Sequence, residues 1–226
     1  MLRSKFSILL LLTIGLYSCT EPKKPETNSE RNEEDSTAPK VSDNKNILFF
    51  GTSLTAGYGL DPGLAYPELI QQKIDSLKLS YKVINGGLSG ETSAAGKARI
   101  DWLLKQPVDI FVLELGANDG LRGVPVNETT TNLQAIIDKV KNKYPAAKLM
   151  LTGMEVPPNM GDKYASDFRN MFKALAEKNG MTFLPFLLNN VAGIPKLNQQ
   201  DGIHPTAEGQ KIVAVNVWNQ LQGLLK

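Results

Sequence analysis

The 226-residue sequence is poor in two reactive side chains: it has one cysteine, Cys19, and one histidine, His204. A single cysteine excludes any disulfide bond within the chain. A single histidine means that any imidazole chemistry in this protein must use His204. Any catalytic mechanism that uses imidazole must therefore include His204.

The sequence also lacks a strong charge of one sign and a long hydrophobic run. Its formal net charge is +2, which gives no basic footprint for nucleic acid, and we expect no nucleic-acid partner. The apolar run at residues 6–17 is shorter than the roughly 20 residues that a membrane-spanning helix needs. It has the length of the apolar core of a signal peptide.

The N-terminus reads as a targeting segment. Arg3 and Lys5 precede the apolar run, and Ser18-Cys19 follows it, so residues 1–18 are predicted to be a lipoprotein signal peptide. The small residue before Cys19 resembles the bacterial lipobox, which implies a lipid anchor that tethers the protein to a membrane. Because Thr20 is not an aspartate, we expect an outer-membrane location in a bacterial cell envelope. The alternative is an ordinary secretory signal with an incidental cysteine.

Two further regions follow the signal. Residues 19–45 are mostly Glu, Lys, Pro, Ser, Thr and Asn, a composition that cannot bury enough apolar surface to fold, and they predict a flexible tether. Residues 46–226 are long enough for one domain and too short for two ordinary ones. We expect this domain to be a monomer.

The domain alternates between short apolar runs and longer amphipathic stretches. Strands are predicted at residues 47–50, 81–84, 110–115, 148–151 and 181–185. Helices are predicted near residues 65–77, 93–104, 127–143, 164–179 and 206–225. This alternation predicts a parallel β-sheet with helices on both faces. The run at 109–115 is the best candidate for a strand that is buried on both sides.

Glycine and polar residues cluster just after the predicted strands, where ligands bind in open parallel sheets. The clusters are Gly51-Thr-Ser53, the segments 85–92, 116–120 and 153–161, and Asp201-Gly-Ile-His204-Pro. All of them are expected at one edge of the sheet.

Acyl transfer needs a nucleophile, a base and a group that orients the base. Ser53, His204 and Asp201 could fill these roles, because an aspartate three residues before a histidine can bind back to the ring. Taken singly, the serine could be a turn or helix-cap residue and the histidine a loop residue. Thr55 stands where an ordinary α/β-hydrolase would have the second glycine of Gly-x-Ser-x-Gly, which argues against that fold.

The same edge offers donors for a developing oxyanion. The glycine-rich loop after the second strand can direct backbone N–H groups at a negative charge, with Gly90 as the expected donor, and Asn118 can add its side-chain amide. The alternatives are a simple tight turn for the loop and a helix cap for Asn118.

Four blocks resemble the SGNH, or GDSL-type, hydrolases, and most closely the bacterial thioesterases, lysophospholipases and arylesterases. They are Gly51-Thr-Ser-Leu-Thr55, Asn85-Gly-Gly-Leu-Ser-Gly-Glu-Thr92, residues 114–123 and Asp201-Gly-Ile-His-Pro205. The resemblance implies a flavodoxin-like three-layer α/β/α sandwich with a five-stranded parallel sheet, and no metal or organic cofactor.

It also implies site residues. Ser53, Asp201 and His204 would form the catalytic triad, and Ser53, Gly90 and Asn118 the oxyanion hole. One position departs from the family pattern: Thr52 stands where the family usually has an aspartate.

The substrate is less well specified than the chemistry. Apolar side chains that could line an acyl or aryl trough are Leu54, Tyr58, Leu121, Met154, Val156, Pro157 and Met160, although core packing would also explain them. We expect short- to medium-chain carboxylic esters, with lysophospholipids or thioesters as natural substrates. The alternatives are a carbohydrate O-acetylesterase of the same fold and a non-catalytic lipoprotein that binds a small ligand.

Overall fold

Five parallel strands form the sheet of the computed structural model, which describes residues 44–225. The order across the sheet is β2-β1-β3-β4-β5. The strands are β1 (Lys45–Gly51), β2 (Tyr81–Asn85), β3 (Ile110–Glu114), β4 (Lys148–Thr152) and β5 (Thr182–Leu184). All five predicted strands are therefore present in the predicted places.

Seven α-helices accompany the sheet in the described part of the chain. They are α1 (Ser53–Ala56), α2 (Tyr66–Ser76), α3 (Ser93–Leu103), α4 (Ala117–Leu121), α5 (Val126–Lys143), α6 (Asp162–Asn179) and α7 (Ala207–Leu221). The five long helices match the predicted ones. The short helices α1 and α4 were not predicted, because each lies inside a segment that was read as a polar loop.

The connections place the helices in two groups. Helix α2 packs against α7, whereas α3 packs against α5 and α5 against α6. Right-handed crossovers explain this grouping, since the chain moves one way from β1 to β2 and the other way afterwards. The predicted α/β fold with a five-stranded parallel sheet and helices on both faces is confirmed.

The centre of the core is built from β1 and β3. Residues 47–50 of β1 have no exposed surface, and every residue of β3 is buried, as predicted for this strand. The chain reverses its direction across the sheet at these two neighbours, and such a switch point is where ligands bind in this class of fold. Both strands end in the segments that were predicted to form the site.

The predicted signal peptide at residues 1–18, Cys19 and the part of the predicted tether up to residue 43 lie outside the described residues. Of the helices in residues 44–225, none combines the length and the apolar character needed to cross a membrane.

Candidate active site

The predicted nucleophile lies on a tight turn between β1 and α1. Thr52 is the N-cap of α1, and its hydroxyl accepts the N–H of Leu54 at 3.3 Å. Ser53 is the first residue of the helix, which ends at Gly57 with a positive φ of 70°. The turn places Ser53 at the carboxyl edge of the sheet.

His204 reaches Ser53 from the far end of the chain. Its Nε2 lies 2.8 Å from Ser53 Oγ, and its Nδ1 lies 2.6 Å from Oδ2 of Asp201. The other oxygen of Asp201 accepts the backbone N–H groups of Ile203 and His204, at 2.9 and 3.0 Å. With Nδ1 donating to the carboxylate, Nε2 is left to accept the Ser53 hydroxyl.

Asp201 is held in its charged form. The hydrogen bond from the His204 side chain, aided by the two backbone N–H groups, lowers the pKa of Asp201 to about 2. Its side chain is 38% exposed, so water screens much of this interaction. Asp201 is therefore an anion at neutral pH that can orient the imidazole and stabilise its protonated form.

A glutamine fastens the histidine loop to the segment after α1. Gln199 donates its backbone N–H to the carbonyl of His204 at 2.7 Å. Its side-chain amide donates to the carbonyls of Tyr58 and Pro205, at 2.7 and 3.0 Å. The ring of Tyr58 lies 4.7 Å from the imidazole of His204, centroid to centroid. Sequence reasoning missed Gln199, whose side-chain amide donates only to backbone carbonyls.

Of the three predicted oxyanion donors, Gly90 lies in the glycine-rich loop after β2 and Asn118 lies beside that loop. Gly90 has a φ of 78°, which favours glycine, and its carbonyl accepts a hydrogen bond from Arg122 at 3.2 Å. The Asn118 amide donates to the carbonyl of Glu91, the next residue, at 3.1 Å. Asn118 lines a cavity together with Ser53, and Gly90 is not among the residues that line it.

That cavity has a volume of about 680 Å³ and opens beside Ser53 and His204. Five of the seven apolar residues predicted to line a substrate trough line this cavity: Leu54, Leu121, Met154, Val156 and Pro157. Tyr58 and Met160 do not, since Tyr58 packs on His204 instead. Within residues 44–225, no group of three His, Cys, Asp or Glu side chains is arranged to hold a metal ion.

Comparison with known proteins identifies the family of this chain. Residues 49–212 match the GDSL-like Lipase/Acylhydrolase family. The chain belongs to this family. It is therefore an acylhydrolase, and the resemblance seen in its sequence blocks is confirmed.

Two relatives and one solved structure show how far the similarity extends. This acylhydrolase is 36% identical to Esterase TesA of Pseudomonas aeruginosa over 79% of its own chain and 89% of the relative. It is 37% identical to thioesterase 1/protease 1/lysophospholipase L1 of Escherichia coli over 79% and 84% of the two chains. The crystal structure of the psychrotrophic esterase EstA from Pseudoalteromonas sp. superposes with a TM-score of 0.76, at 33% identity over 80% and 99%.

An ion pair anchors the glycine-rich loop of this acylhydrolase. The carboxylate of Glu91 is buried and accepts two hydrogen bonds from the guanidinium of Arg99 on α3. Arg99 also donates to the carbonyl of Gly86 at 2.8 Å, and it lies 4.6 Å from the ring centre of Phe50. Sequence reasoning missed this pair, although an acid in a glycine loop eight residues before an arginine was an available signal.

A second buried acid fixes the helix that carries Asn118. Asp119 accepts the backbone N–H and the hydroxyl of Ser93, at 2.8 and 2.5 Å. These bonds join the first turn of α4 to the first turn of α3. The backbone of Asn118 is thereby held relative to the glycine-rich loop.

Sequence reasoning assigned no role to the buried carboxylate of Glu114. It ends the all-buried strand β3 and has no exposed surface. Burial raises its pKa to about 7, against the effect of hydrogen bonds from Thr52 and Thr55. The available signal was a charged residue within an otherwise apolar strand, because such a residue is rarely buried without a specific partner.

Proposed function

We propose that this protein is a serine esterase whose nucleophile is Ser53, with His204 as general base and Asp201 as the residue that orients the base. The observation that carries the proposal is the chain of hydrogen bonds from Ser53 Oγ to His204 and from His204 to Asp201, at 2.8 and 2.6 Å. These distances lie within the reach required for proton transfer.

In the first half of the reaction, Ser53 Oγ forms a bond to the carbonyl carbon of the ester, and its proton passes to Nε2 of His204. The carbonyl oxygen becomes an oxyanion that accepts hydrogen bonds from the N–H groups of Ser53 and Gly90 and from the amide of Asn118. His204 then gives its proton to the leaving alcohol as the ester C–O bond breaks. Water repeats the sequence on the acyl-enzyme and releases the acid.

The proposed substrates are short- to medium-chain carboxylic esters, including acyl and aryl esters, lysophospholipids or thioesters. The 680 Å³ cavity and its apolar lining support this class, because apolar walls bind acyl chains and a few polar groups orient the reacting carbonyl. The relatives named esterase and thioesterase 1/protease 1/lysophospholipase L1 point the same way.

We also propose that Cys19 is lipidated and holds the enzyme in a bacterial envelope, on the outer membrane. The support is the signal-like N-terminus alone. Incorporation of labelled palmitate that disappears on Cys19→Ala tests the anchor, and labelling that survives this substitution would rule it out.

The decisive experiment for the esterase compares the purified protein with Ser53→Ala on p-nitrophenyl esters from acetate to palmitate. We expect turnover by the parent, with an optimum between butyrate and decanoate, and none by Ser53→Ala. Ser166→Ala, at an exposed serine of α6, serves as the matched control and should behave as the parent. Activity confined to acetate would favour a carbohydrate O-acetylesterase, and equal activity of parent and Ser53→Ala would exclude Ser53 as the nucleophile.

A further inference from the structure

The buried carboxylate of Glu114 has no role in the proposed reaction, yet it lies next to the turn that carries Ser53. None of the ion pairs found in residues 44–225 involves Glu114. A buried carboxylate without a cation is unfavourable unless hydrogen bonds compensate for the lost water. Its partners should therefore show what the residue does.

One oxygen of Glu114 binds both flanks of the nucleophile turn. Oε2 accepts the backbone N–H of Thr52 and the hydroxyl of Thr55, each at 2.8 Å. Thr52 comes one residue before Ser53, and Thr55 comes two residues after it. The Thr52 hydroxyl adds bonds to both oxygens, at 3.1 and 3.0 Å. Ser53 is thus held between two residues that share one acceptor.

Further hydrogen bonds connect the turn from Thr52 to Thr55 with helices α2 and α7 in the core. Because the Thr55 hydroxyl donates to Glu114, the hydroxyl of Tyr66, 2.8 Å away, must donate to Thr55. Tyr66 is fully buried on α2, and its backbone N–H donates to the side-chain oxygen of Gln210 at 2.9 Å. Gln210 on α7 in turn donates to the carbonyl of Leu54 at 3.3 Å. Two long helices therefore brace the turn that Glu114 binds.

The close approach of Glu114 depends on a glycine. A Cβ atom at Gly51 would lie 2.1 Å from Thr55 Oγ1 and 2.6 Å from Glu114 Oε2. Both distances are far below ordinary contact, so a side chain at position 51 would displace the carboxylate or the threonine. Gly51, the last residue of β1, therefore leaves the space that the carboxylate of Glu114 occupies.

We propose that Glu114 is a positioning residue for the nucleophile: its Oε2 atom fixes the turn from Thr52 to Thr55 and so sets Ser53 Oγ against His204. This inference rests on the proposed role of Ser53. It also accounts for Thr52, which supplies two neutral donors to Glu114. An aspartate side chain directed to the same place would set a second carboxylate beside the first, and like charges at that distance cannot both ionise.

The test compares Glu114→Met with Glu114→Gln. Methionine has no acceptor for the two flanking donors, whereas the carbonyl of glutamine can take the place of Oε2. We expect kcat of Glu114→Met to fall by roughly 100-fold, the size of effect that a displacement of about 1 Å at a reacting group produces. The KM of Glu114→Met should stay near the parent value because Glu114 does not line the cavity. The kcat of Glu114→Gln should be close to that of the parent.

A second pair of variants serves if Glu114→Met does not fold. Thr55→Val has nearly the same shape and removes one of the two donors to Oε2, and Thr55→Ser retains it. We expect a lower kcat at constant KM for Thr55→Val and recovery for Thr55→Ser. A loss that the serine variant does not recover would show that packing matters and would overturn the positioning role.

Hydrogen exchange of residues 48–58, followed by mass spectrometry, tests the inference without any substrate. We expect faster exchange of this segment in Glu114→Met than in the parent or in Glu114→Gln. Unchanged exchange and unchanged kcat in a folded Glu114→Met protein would overturn the proposal. Equal losses in the Met and Gln variants would overturn it too, since the charge and not the accepting atom would then matter. An inactive parent would instead count against the proposed esterase, and the exchange result would still decide the role of Glu114.

Discussion

Two carboxylates support Ser53, Asp201 through His204 and Glu114 through the turn from Thr52 to Thr55, and their surroundings shift their pKa values in opposite directions. Asp201 is partly exposed, and its hydrogen bond with His204 lowers its pKa to about 2. Glu114 is fully buried, and the loss of water raises its pKa to about 7. The same chemical group is thus kept charged at neutral pH on the solvent side, whereas in the core it binds a proton more tightly than it does in water.

The difference follows from what each carboxylate can reach. Asp201 lies on a loop, where water assists its charge and the protein needs to add only three hydrogen bonds. Glu114 ends a central strand, where the four hydrogen bonds from Thr52 and Thr55 do not fully offset desolvation. We infer that the exposed carboxylate serves the proton transfer and the buried one serves the geometry.

The largest effect is expected for Asp201→Asn. An amide at this position binds His204 in the wrong tautomer or not at all, and comparable changes in serine hydrolases lower kcat on the order of 10⁴-fold. The unfolding midpoint should change little, because the side chain is partly exposed. Ester hydrolysis and urea unfolding measure the two quantities. Asp138→Asn, at an exposed position of α5, is the control, and a decrease of tenfold or less for Asp201→Asn would exclude an essential orienting role.

The next largest effect is a dependence of the free energy of unfolding on pH, which is caused by the buried carboxylate of Glu114. Because the pKa of Glu114 is raised on folding from its ordinary value of 4.5 to about 7, the folded state binds the proton more tightly. The free energy of unfolding should therefore fall as the pH rises through this window, by about 3 kcal/mol in total. Asp201 has the opposite effect, because its pKa is lowered on folding. It should decrease the free energy of unfolding only as the pH falls below 3.8, the ordinary pKa of an aspartate.

Urea unfolding at several pH values between about 4.5 and 8 measures this dependence. Glu114→Gln cannot titrate and should lose the decline with rising pH, whereas Asp201→Asn should keep it. Parallel curves for the parent and Glu114→Gln would show that Glu114 does not bind a proton in this range.

A smaller effect is expected for Gly51→Ala. The added methyl group would meet Thr55 Oγ1, Glu114 Oε2 and the carbonyl oxygen of Glu114 at 2.1, 2.6 and 2.9 Å, and overpacking of this kind typically costs about 1–3 kcal/mol. Gly223→Ala is the matched control, because a Cβ there meets nothing within 4 Å. Equal unfolding midpoints for the two variants would mean that the turn can move away from Glu114.

The two carboxylates also differ in whether their roles could be predicted from the sequence. Asp201 was predicted because its partner His204 is three residues away, and strand and helix periodicities predicted the long elements equally well. Glu114 was not, because its partners lie 59 and 62 residues away and nothing local in the sequence links them. The contact between Tyr58 and His204 was missed for the same reason, since His204 comes from the other end of the chain.

The smallest predicted effect concerns Tyr58 and the exposed side of His204. The tyrosine ring lies 4.7 Å from the imidazole, close enough to stabilise the protonated ring that forms during the reaction. Tyr58→Leu keeps an apolar cover but removes the aromatic face, so kcat/KM should fall about two- to fivefold, while Tyr58→Phe should match the parent. Because His204 is the only histidine, its imidazole NMR signals are unambiguous, and they should lose the ring-current shift in Tyr58→Leu alone. If Tyr58→Leu and the parent give the same signals and rates, the ring does not contact the imidazole in solution, and solvent alone covers that side of His204.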